Sequence, residues 1–142
     1  MILLDSNVLS ALMLRNPDPV IERWLNGLQR SAVWTTAVTL FEIQWGIELL
    51  PESRRRSELQ LSFDRFKSGL LDRRIAGFDT QAAQHAAVLA AERRKAGRMI
   101  DDRNTMIAGI ALANRATLAT RNTRHFSDLS VQVINPWADG VI

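Results

Sequence analysis

Short apolar runs alternate with longer stretches of helical periodicity along this chain, and the alternation restricts the folds open to it. Neighbouring parallel strands need a long crossover connection, usually a helix, so strands separated by helices predict a parallel sheet. Five runs are typical of strands, at residues 2–4, 32–35, 75–78, 117–120 and 131–134. We therefore predict an α/β fold of three layers, with a central parallel sheet of about five strands and helices on both faces.

Capping residues and apolar periodicity place helices between the predicted strands. Asp18 opens one helix as its N-cap, and a long alanine-rich helix starts at Asp79 or Thr80. The last predicted helix starts at Asp101 or Asp102. Three further stretches carry apolar residues at helical spacing, at residues 8–13, 39–49 and 52–70.

Chain length and missing residue types limit the class of protein. With 142 residues, 46% of them hydrophobic, the chain has the size of one domain with a full core, so we expect a single domain over residues 1–142. The absence of cysteine excludes disulfides, thiolate metal sites and cysteine nucleophiles, and it fits a reducing compartment. The apolar run at the N-terminus is too short for a signal peptide or a membrane span, so we expect a cytoplasmic protein.

The positive charge is carried almost wholly by arginine. The net charge is +3, with sixteen Arg and two Lys, and several arginines are adjacent to other basic residues, at residues 54–56, 73–74 and 93–95. Arginine suits phosphate because its planar fork binds two oxygens at once. A compositional bias together with solvated helix faces accounts for most of these residues, so the charge permits a nucleic-acid partner without requiring one.

Asp5 closes the first apolar run, with Ser6 and Asn7 behind it. Ligands bind beyond the carboxyl ends of strands in open α/β sheets, which makes Asp5 a candidate for chemistry. The alternative is that Asp5 only caps the helix that follows. If the first and fourth strands are close together, residues 120–122 share a crevice with Asp5.

The other polar residues near strand ends or helix starts are Glu42, Asp101, Asp102, Asn104 and residues 120–122. Oxygen ligands, with no cysteine and only two histidines, point to a hard cation such as Mg²⁺ or Mn²⁺. A metal held by carboxylates is the usual means of cutting phosphodiesters, because it activates water and neutralises charge in the transition state.

Glu42 also has a purely local interpretation. Thr39 to Glu42 fits the capping box that opens many helices, and local sequence alone favours this interpretation. The apolar neighbours of Glu42 suggest instead a partly buried acid that needs a partner. Neither His85, within the alanine-rich helix, nor His125, in a predicted loop, is assigned a role.

Four segments together resemble the PIN-domain ribonucleases, in order and in spacing. These segments are ILLDSNVL at 2–9, TLFEIQWG at 39–46, NTMIAGIA at 104–111 and LATRN at 118–122. The similarity is greatest to the VapC and FitB toxins of bacterial toxin–antitoxin pairs, and the ending NPW at 135–137 is similar to the FitB branch. The resemblance covers essentially the whole chain.

The resemblance implies a Mg²⁺- or Mn²⁺-dependent endoribonuclease with an acidic pocket. Asp5 matches the first acid, which binds the metal directly, and Glu42 matches the second, which positions metal or water. The fourth position falls on Asn122, where Asn is a common alternative in the family. Ser6 and Thr120 match positions where the family has hydroxyls near the pocket.

The third acid of the family is replaced in this chain by Asn104. An amide offers the metal one neutral oxygen, whereas a carboxylate supplies charge, so weakened metal affinity and poor cleavage are expected. One explanation is a deliberate Asp→Asn substitution that lets a toxic nuclease be produced. The other is a natural variant that uses Asp101 or Asp102 instead, and we favour the first. If Asp101 caps the helix from outside, it cannot approach the same face as Asn104.

The resemblance also implies the substrate and the partners. The substrate expected is tRNA or another structured RNA, and the partner is a VapB- or FitA-like antitoxin, a small DNA-binding protein that enters the active-site groove. A homodimer is a further partner that the family allows. Apolar residues for such a groove are available at Trp45, Leu49 and Leu50, or around Leu59 and Phe63, although all of these also suit an ordinary core.

Two other functions compete with the nuclease. In the first, the chain is a catalytically silent module that acts through its antitoxin or by binding RNA. In the second, Asp5 is a phosphoacceptor, as in receiver domains or phosphatases. That function is disfavoured because Lys67 and Lys95 both lie in predicted helices, and because Asn7 stands where an aspartyl phosphatase has its second Asp.

Overall fold

The computed structural model describes residues 1–138 and contains one sheet of five parallel strands. The strands are β1 (Ile2–Leu4), β2 (Val33–Thr36), β3 (Ile75–Ala76), β4 (Thr117–Ala119) and β5 (Val133–Ile134). Their order across the sheet is β3-β2-β1-β4-β5. The predicted parallel sheet is thereby confirmed. The edge strands β3 and β5 are shorter than predicted, since only two residues of each pair with the neighbouring strand.

Six α-helices connect the strands within the described residues. They are α1 (Ser6–Leu12), α2 (Pro19–Asn26), α3 (Ala37–Glu48), α4 (Arg54–Ser68), α5 (Thr80–Lys95) and α6 (Asp102–Asn114). Asp18 is the N-cap of α2, as predicted. Of the two candidates predicted for each of the other helices, Asp79 caps α5 and Asp101 caps α6. Over residues 1–138, none of these helices combines the length and apolar character needed to cross a bilayer.

Two apolar cores lie on opposite faces of the sheet. Successive residues of a strand point to opposite faces, and β1 shows this directly because Leu3 and Leu4 are both fully buried but in different cores. Leu4 packs in the core formed mainly by α1 to α4, which includes Phe63. Leu3 packs in the core formed mainly by α5 and α6, which includes Ile107. The predicted three-layer arrangement is therefore confirmed.

The central position of β1 brings distant parts of the sequence to one edge of the sheet. Strand β1 pairs with β2 on one side and with β4 on the other, and Leu4 is level with Ala119. One more backbone hydrogen bond, from the Asp5 N–H to the Ala119 carbonyl at 2.9 Å, continues the pairing beyond the strand ends. Residues 5 and 120 therefore leave the sheet next to each other.

Arg93 fixes the loop after β4 against the helical layer. Its side chain is 3% exposed and donates to both carboxylate oxygens of Asp128, at 2.9 and 3.0 Å. It also donates to the Thr105 hydroxyl of α6 at 2.9 Å and to the His125 carbonyl at 2.7 Å. A buried guanidinium with a bidentate carboxylate partner is strongly oriented, so α5, α6 and the loop are held in one arrangement.

Gly109 allows α5 and α6 to approach closely. A Cβ atom at this position would lie 2.5 Å from the Ala82 carbonyl oxygen and 2.7 Å from the Ala86 Cβ, both on α5. Both distances are shorter than any van der Waals contact, so a larger residue must push the helices apart. Since α6 carries Asn104, this contact also sets the position of part of the candidate site.

Replacing Gly109 by Ala is therefore expected to destabilise the protein. Overpacking of this kind costs roughly 1–3 kcal/mol of unfolding free energy. The matched control is Gly46→Ala in the middle of α3, where nothing lies within 4 Å of an added Cβ. That variant is expected to gain about 0.5–1 kcal/mol, because glycine is a poor helix residue. Urea unfolding measures both changes, and equal effects at the two sites would contradict the close contact.

Asp128→Asn is expected to lower the unfolding free energy by about 2–3 kcal/mol at neutral pH, since the buried Arg93 charge loses its counter-charge. The hydrogen bond from Arg93 holds the pKa of Asp128 below its ordinary value. This stabilisation is complete above the unfolded pKa of about 4 and is lost as the pH falls through the folded pKa. The difference between parent and variant should therefore shrink in acid.

The control for this measurement is Glu58→Gln. Glu58 is half exposed and lies 3.6 Å from two exposed arginines, Arg15 and Arg54. Exposed pairs of this kind contribute about 0–1 kcal/mol. If urea unfolding gave the same small loss for Asp128→Asn at neutral pH, Arg93 would not have the structural role described here.

Candidate active site

Asp5 lies at the carboxyl end of β1, where it caps α1 and also lies in the predicted polar crevice. It is the N-cap of α1, because its Oδ1 accepts a hydrogen bond from the Ser6 N–H at 2.8 Å. Its other oxygen, Oδ2, accepts from the Thr120 hydroxyl at 2.7 Å. The residue is only 3% exposed. Capping and a place in the polar crevice are thus compatible, and the cap fixes the direction of the carboxylate.

Thr120 and Asn7 complete a network around this carboxylate. The Thr120 hydroxyl accepts from the Asn122 N–H at 3.0 Å and from the Asn7 Nδ2 at 3.3 Å. The Asn7 Oδ1 accepts from the Arg121 N–H at 2.9 Å, which ties the start of α1 to the loop after β4. The predicted proximity of Asp5 to residues 120–122 is confirmed by these hydrogen bonds.

Burial dominates the acidity of Asp5. Removal from water raises the pKa of the carboxyl above its ordinary value, because the charged form is the more strongly solvated. The hydrogen bonds from Thr120 and the Ser6 N–H and the charge of His125 oppose this rise without cancelling it. A buried carboxylate of this kind gains from a nearby positive charge.

Glu42 lies within α3 and does not form the capping box that its local sequence suggested. The N-cap of α3 is Thr36, whose hydroxyl accepts from the Thr39 N–H at 2.9 Å. The helix begins three residues earlier than a box at Thr39 requires, because Thr36, at the end of β2, already caps it. That prediction was wrong, and the Glu42 side chain is free to face the pocket.

One oxygen of Glu42 is buried without a partner. Within residues 1–138, Oε1 of Glu42 is the only buried side-chain polar atom that lacks a hydrogen bond. Oε2 lies 3.8 Å from the Arg103 Nε, a distance that allows attraction but no short hydrogen bond. The Ser6 hydroxyl is near enough to the carboxyl to lower its pKa, but no hydrogen bond of ordinary length reaches Oε1. A buried carboxylate oxygen of this kind is costly, so a ligand is expected to complete it.

The pKa of Glu42 is raised mainly by burial and next by the negative charge of Asp5. The Arg103 guanidinium opposes the rise, and Asp101 adds to it. The two acids therefore lie close enough to interact, and the charge of Asp5 makes ionisation of Glu42 harder. A cation between such groups removes the repulsion.

Asn104 is on the first turn of α6 and reaches the same edge of the sheet through His125. Its Nδ2 lies 3.2 Å from the His125 Nδ1, and His125 is the residue whose charge acts on Asp5. The side chain of Asn104 contributes no charge there. Sequence reasoning assigned no role to His125, and the structure places it beside the candidate site.

The other acidic residues of this region are placed less favourably. Asp101 is the N-cap of α6, outside the helix, and its carboxylate accepts from the Arg103 N–H at 2.8 Å. Asp102 is exposed on the first turn. The amide residue Asn122 is exposed as well, and its backbone N–H donates to the Thr120 hydroxyl of the network around Asp5. Asp101 therefore caps α6 from outside the helix, although its charge acts on Glu42 and Arg103 lies between the two acids. The position of Asp102 gives no support to it as a replacement for the family's third acid.

The donor set fits a hard cation that is completed by other ligands. Over the part of the chain that the structure describes, no three acidic, histidine or cysteine side chains are placed to hold a metal ion together. Mg²⁺ is commonly bound by one or two carboxylates together with water and substrate phosphates. Asp5 and Oε1 of Glu42 offer two carboxylates of this kind.

Three residues at the site were missed by sequence reasoning. Asn7 was noted only beside Asp5, and Arg103 was not considered because nothing in its neighbourhood marks a partner on α3. His125 could have been found by its position in the loop after β4, three residues beyond Asn122. A phosphoacceptor site of the receiver type needs a lysine at a strand end. Lys67 lies in α4 and Lys95 in α5, as predicted, so neither lysine is placed for that role.

An apolar cleft of about 480 Å³ opens beside Glu42. Its lining includes Trp45, Leu49, Leu50 and Leu59. Leu49 is 67% exposed and Trp45 48% exposed, so these side chains are accessible. Phe63, which was considered for the same groove, is 1% exposed and belongs to the core.

Comparison with known proteins identifies the family. The model of the PIN domain matches residues 2–131. The chain is 34% identical over 137 residues to plasmid stability protein StbB of Pseudomonas syringae pathovar tomato, covering 96% of this chain and 99% of the relative. It is 31% identical over 137 residues to VapC ribonuclease Y4jK of Sinorhizobium fredii, covering 96% and 98%.

A solved structure gives the same result at the level of the fold. The structure of FitAB bound to an IR36 DNA fragment matches with a TM-score of 0.86 and 31% identity, over 96% of both chains. The resemblance in the four sequence motifs is therefore confirmed by similarity over nearly the whole chain. The chain belongs to the PIN-domain family, alongside proteins of the StbB, VapC and FitB type.

Proposed function

We propose that this protein is the toxin of a toxin–antitoxin pair and a Mg²⁺- or Mn²⁺-dependent endoribonuclease that cuts RNA in the cytoplasm. The observation that carries the proposal is the buried, unpartnered Oε1 of Glu42, in electrostatic contact with the buried Asp5 carboxylate. Two such acids at the carboxyl end of a parallel sheet are suited to hold a divalent cation. Similarity to a VapC ribonuclease supports the same activity.

The roles of the residues follow from their positions. Asp5 is held by three donors from two segments, so its carboxylate is preorganised to bind the cation. Glu42 has an oxygen to spare and is the group best placed to hold the cation or to accept a proton from water. Asn122 holds Thr120 through its backbone N–H and thereby supports Asp5. The cation, when bound, supplies activation of water and neutralisation of phosphate charge.

Asn104 is the reason to expect low activity. Its amide adds no negative charge to the pocket, and its Nδ2 is directed at His125. A carboxylate in its place would add a third charge for the cation and could accept a hydrogen bond from His125. We therefore propose that Asn104 weakens both metal affinity and cleavage without changing the shape of the site.

Asn104→Asp is expected to restore cleavage of RNA. The gain in rate should exceed the roughly 10- to 100-fold that outer residues of metal sites contribute, because residue 104 contacts the cation in this proposal. The parent, Asn104→Asp and Asn104→Asp with Asp5→Ala are incubated with total RNA and purified tRNA in Mn²⁺, Mg²⁺ or chelator. The product termini are then mapped.

The controls separate the nuclease from its alternatives. Cleavage by Asn104→Asp must require the divalent cation and must disappear when Asp5→Ala is added. If Asn104→Asp cut no RNA under either metal, the nuclease proposal would be refuted. Efficient cleavage by the parent would instead refute the claim that Asn104 impairs the site.

A second candidate function is a silent module that acts through a protein partner. The specific observation in its favour is the apolar cleft beside Glu42, with Leu14 51% and Leu49 67% exposed at its edge. The FitAB structure contains a protein of this family in complex with a partner on DNA. We propose that a small DNA-binding antitoxin fills the cleft here and covers Glu42.

Leu49→Asp is expected to weaken the complex with such an antitoxin about 10- to 100-fold, the loss that follows from one unburied leucine. Leu61→Asp on α4 is the matched control, since Leu61 is 56% exposed and does not line the cleft. The affinity of each variant for the purified antitoxin is measured by calorimetry. If Leu49→Asp and Leu61→Asp bound the antitoxin with equal affinity, the antitoxin would not bind in the cleft beside Glu42.

A further inference from the structure

Two exposed aromatic rings lie side by side at the edge of the candidate active site. Phe41 and Trp45 are one turn apart on α3, with ring centroids 6.4 Å apart and ring planes only 7° from parallel. Phe41 is 56% exposed and Trp45 48% exposed. Phe41 directly precedes Glu42, so the rings and the unpartnered carboxylate share the same turns of α3. We call Phe41, Trp45 and Arg103 the aromatic platform.

Arg103 connects these rings to the acids. Its Cζ lies 5.0 Å from the Trp45 ring centroid and 5.9 Å from that of Phe41, within the range of cation–π attraction. Its Nε lies 3.8 Å from the Glu42 Oε2. The guanidinium therefore stands next to both the π faces and the acid, and about a third of its side chain is exposed.

We propose that the aromatic platform binds an unpaired nucleobase of the RNA substrate, and that Arg103 binds the adjoining phosphate. This inference rests on the proposed nuclease function and assigns the side chains that would hold one base beside the cleavage site. Nucleobases stack on exposed aromatic rings, and a neighbouring arginine supplies the charge that phosphate requires. Paired bases within a duplex have no free face to offer.

The combination of rings and charge favours a nucleotide over an apolar protein segment as occupant. An apolar segment would gain nothing from a guanidinium beside the rings, whereas a phosphate is attracted by it. Trp45 and Arg103 also line one end of the apolar cleft, whose aliphatic side chains, such as Leu49 and Leu50, suit a protein partner, whereas Phe41 lies outside the cleft lining. The platform also continues directly into the acidic pocket, where a bound strand must place its phosphodiester.

The test compares two RNA probes and five variants, one of them a control, in chelator, so that no strand is cut. The probes are a single-stranded RNA and an abasic strand of equal length and charge. Trp45→Leu and Phe41→Leu keep the apolar bulk but remove the π face, whereas Trp45→Phe keeps a ring. Arg103→Gln removes the charge. Affinities are measured by fluorescence anisotropy at several salt concentrations.

Trp45→Leu and Phe41→Leu should each weaken binding of the single-stranded RNA about fivefold to a hundredfold, the usual value of one stacked base, and should leave the abasic strand unaffected. Trp45→Phe should lose less than Trp45→Leu. Arg103→Gln should weaken both probes alike and reduce the salt dependence by about one phosphate contact. Leu61→Ala, an equally exposed apolar residue outside the platform, should change neither probe.

Two results would overturn the inference. One is unchanged affinity of the leucine variants for the single-stranded RNA, and the other is an equal loss on both probes. A change in oligomeric mass or antitoxin affinity of the leucine variants, with RNA binding intact, would assign the platform to a protein interface instead. RNA cleavage by Asn104→Asp is scored separately. Base-dependent binding without cleavage by Asn104→Asp would support the platform and refute the nuclease. Cleavage by Asn104→Asp together with normal RNA binding by the leucine variants would support the nuclease and refute the platform.

Discussion

The candidate site depends on the parallel pairing of β1 with β4. That pairing places the Asp5 N–H on the Ala119 carbonyl, so Asp5 and Thr120 emerge from the sheet together. Burying a carboxylate is unfavourable unless donors surround it, and here the donors come from the start of α1 and from the loop after β4. The charge is therefore satisfied only when the sheet, α1 and that loop are all in place. The pocket around Asp5 therefore forms only when this part of the fold forms.

The sequence was informative where the determining interactions are local or follow from strand order. Asp18, Asp79 and Asp101 could be identified as caps because an N-cap bonds to residues two or three positions away. Thr36 and Thr39 could each have capped α3, and only the extent of β2 decides between them. The partners of Arg93 and Arg103 lie on other elements, 35 and 61 positions away for Asp128 and Glu42, and no local pattern marks such pairs.

The electrostatics of the pocket explain how an amide can be accommodated at position 104. Burial and the charge of Asp5 already make the Glu42 carboxylate hard to ionise. A third carboxylate would increase this repulsion, which a bound cation would have to relieve. We expect a pocket with Asn104 to be less strained in the metal-free protein, and the Arg103 guanidinium, 3.8 Å from Glu42, provides positive charge nearby. In the proposed site, stability without metal and affinity for metal would then be opposed, as is common where like charges are gathered for function.

The two short edge strands have a consequence for how this protein can assemble with other chains. Strands β3 and β5 contain two residues each and border the sheet on either side. An edge of that length exposes few free backbone groups, so it is a poor template for strand addition and gives little opportunity for edge-to-edge aggregation. Recognition by other macromolecules is thereby left to side chains on helices and loops. These surfaces can change in sequence without disturbing the hydrogen-bonded sheet beneath them.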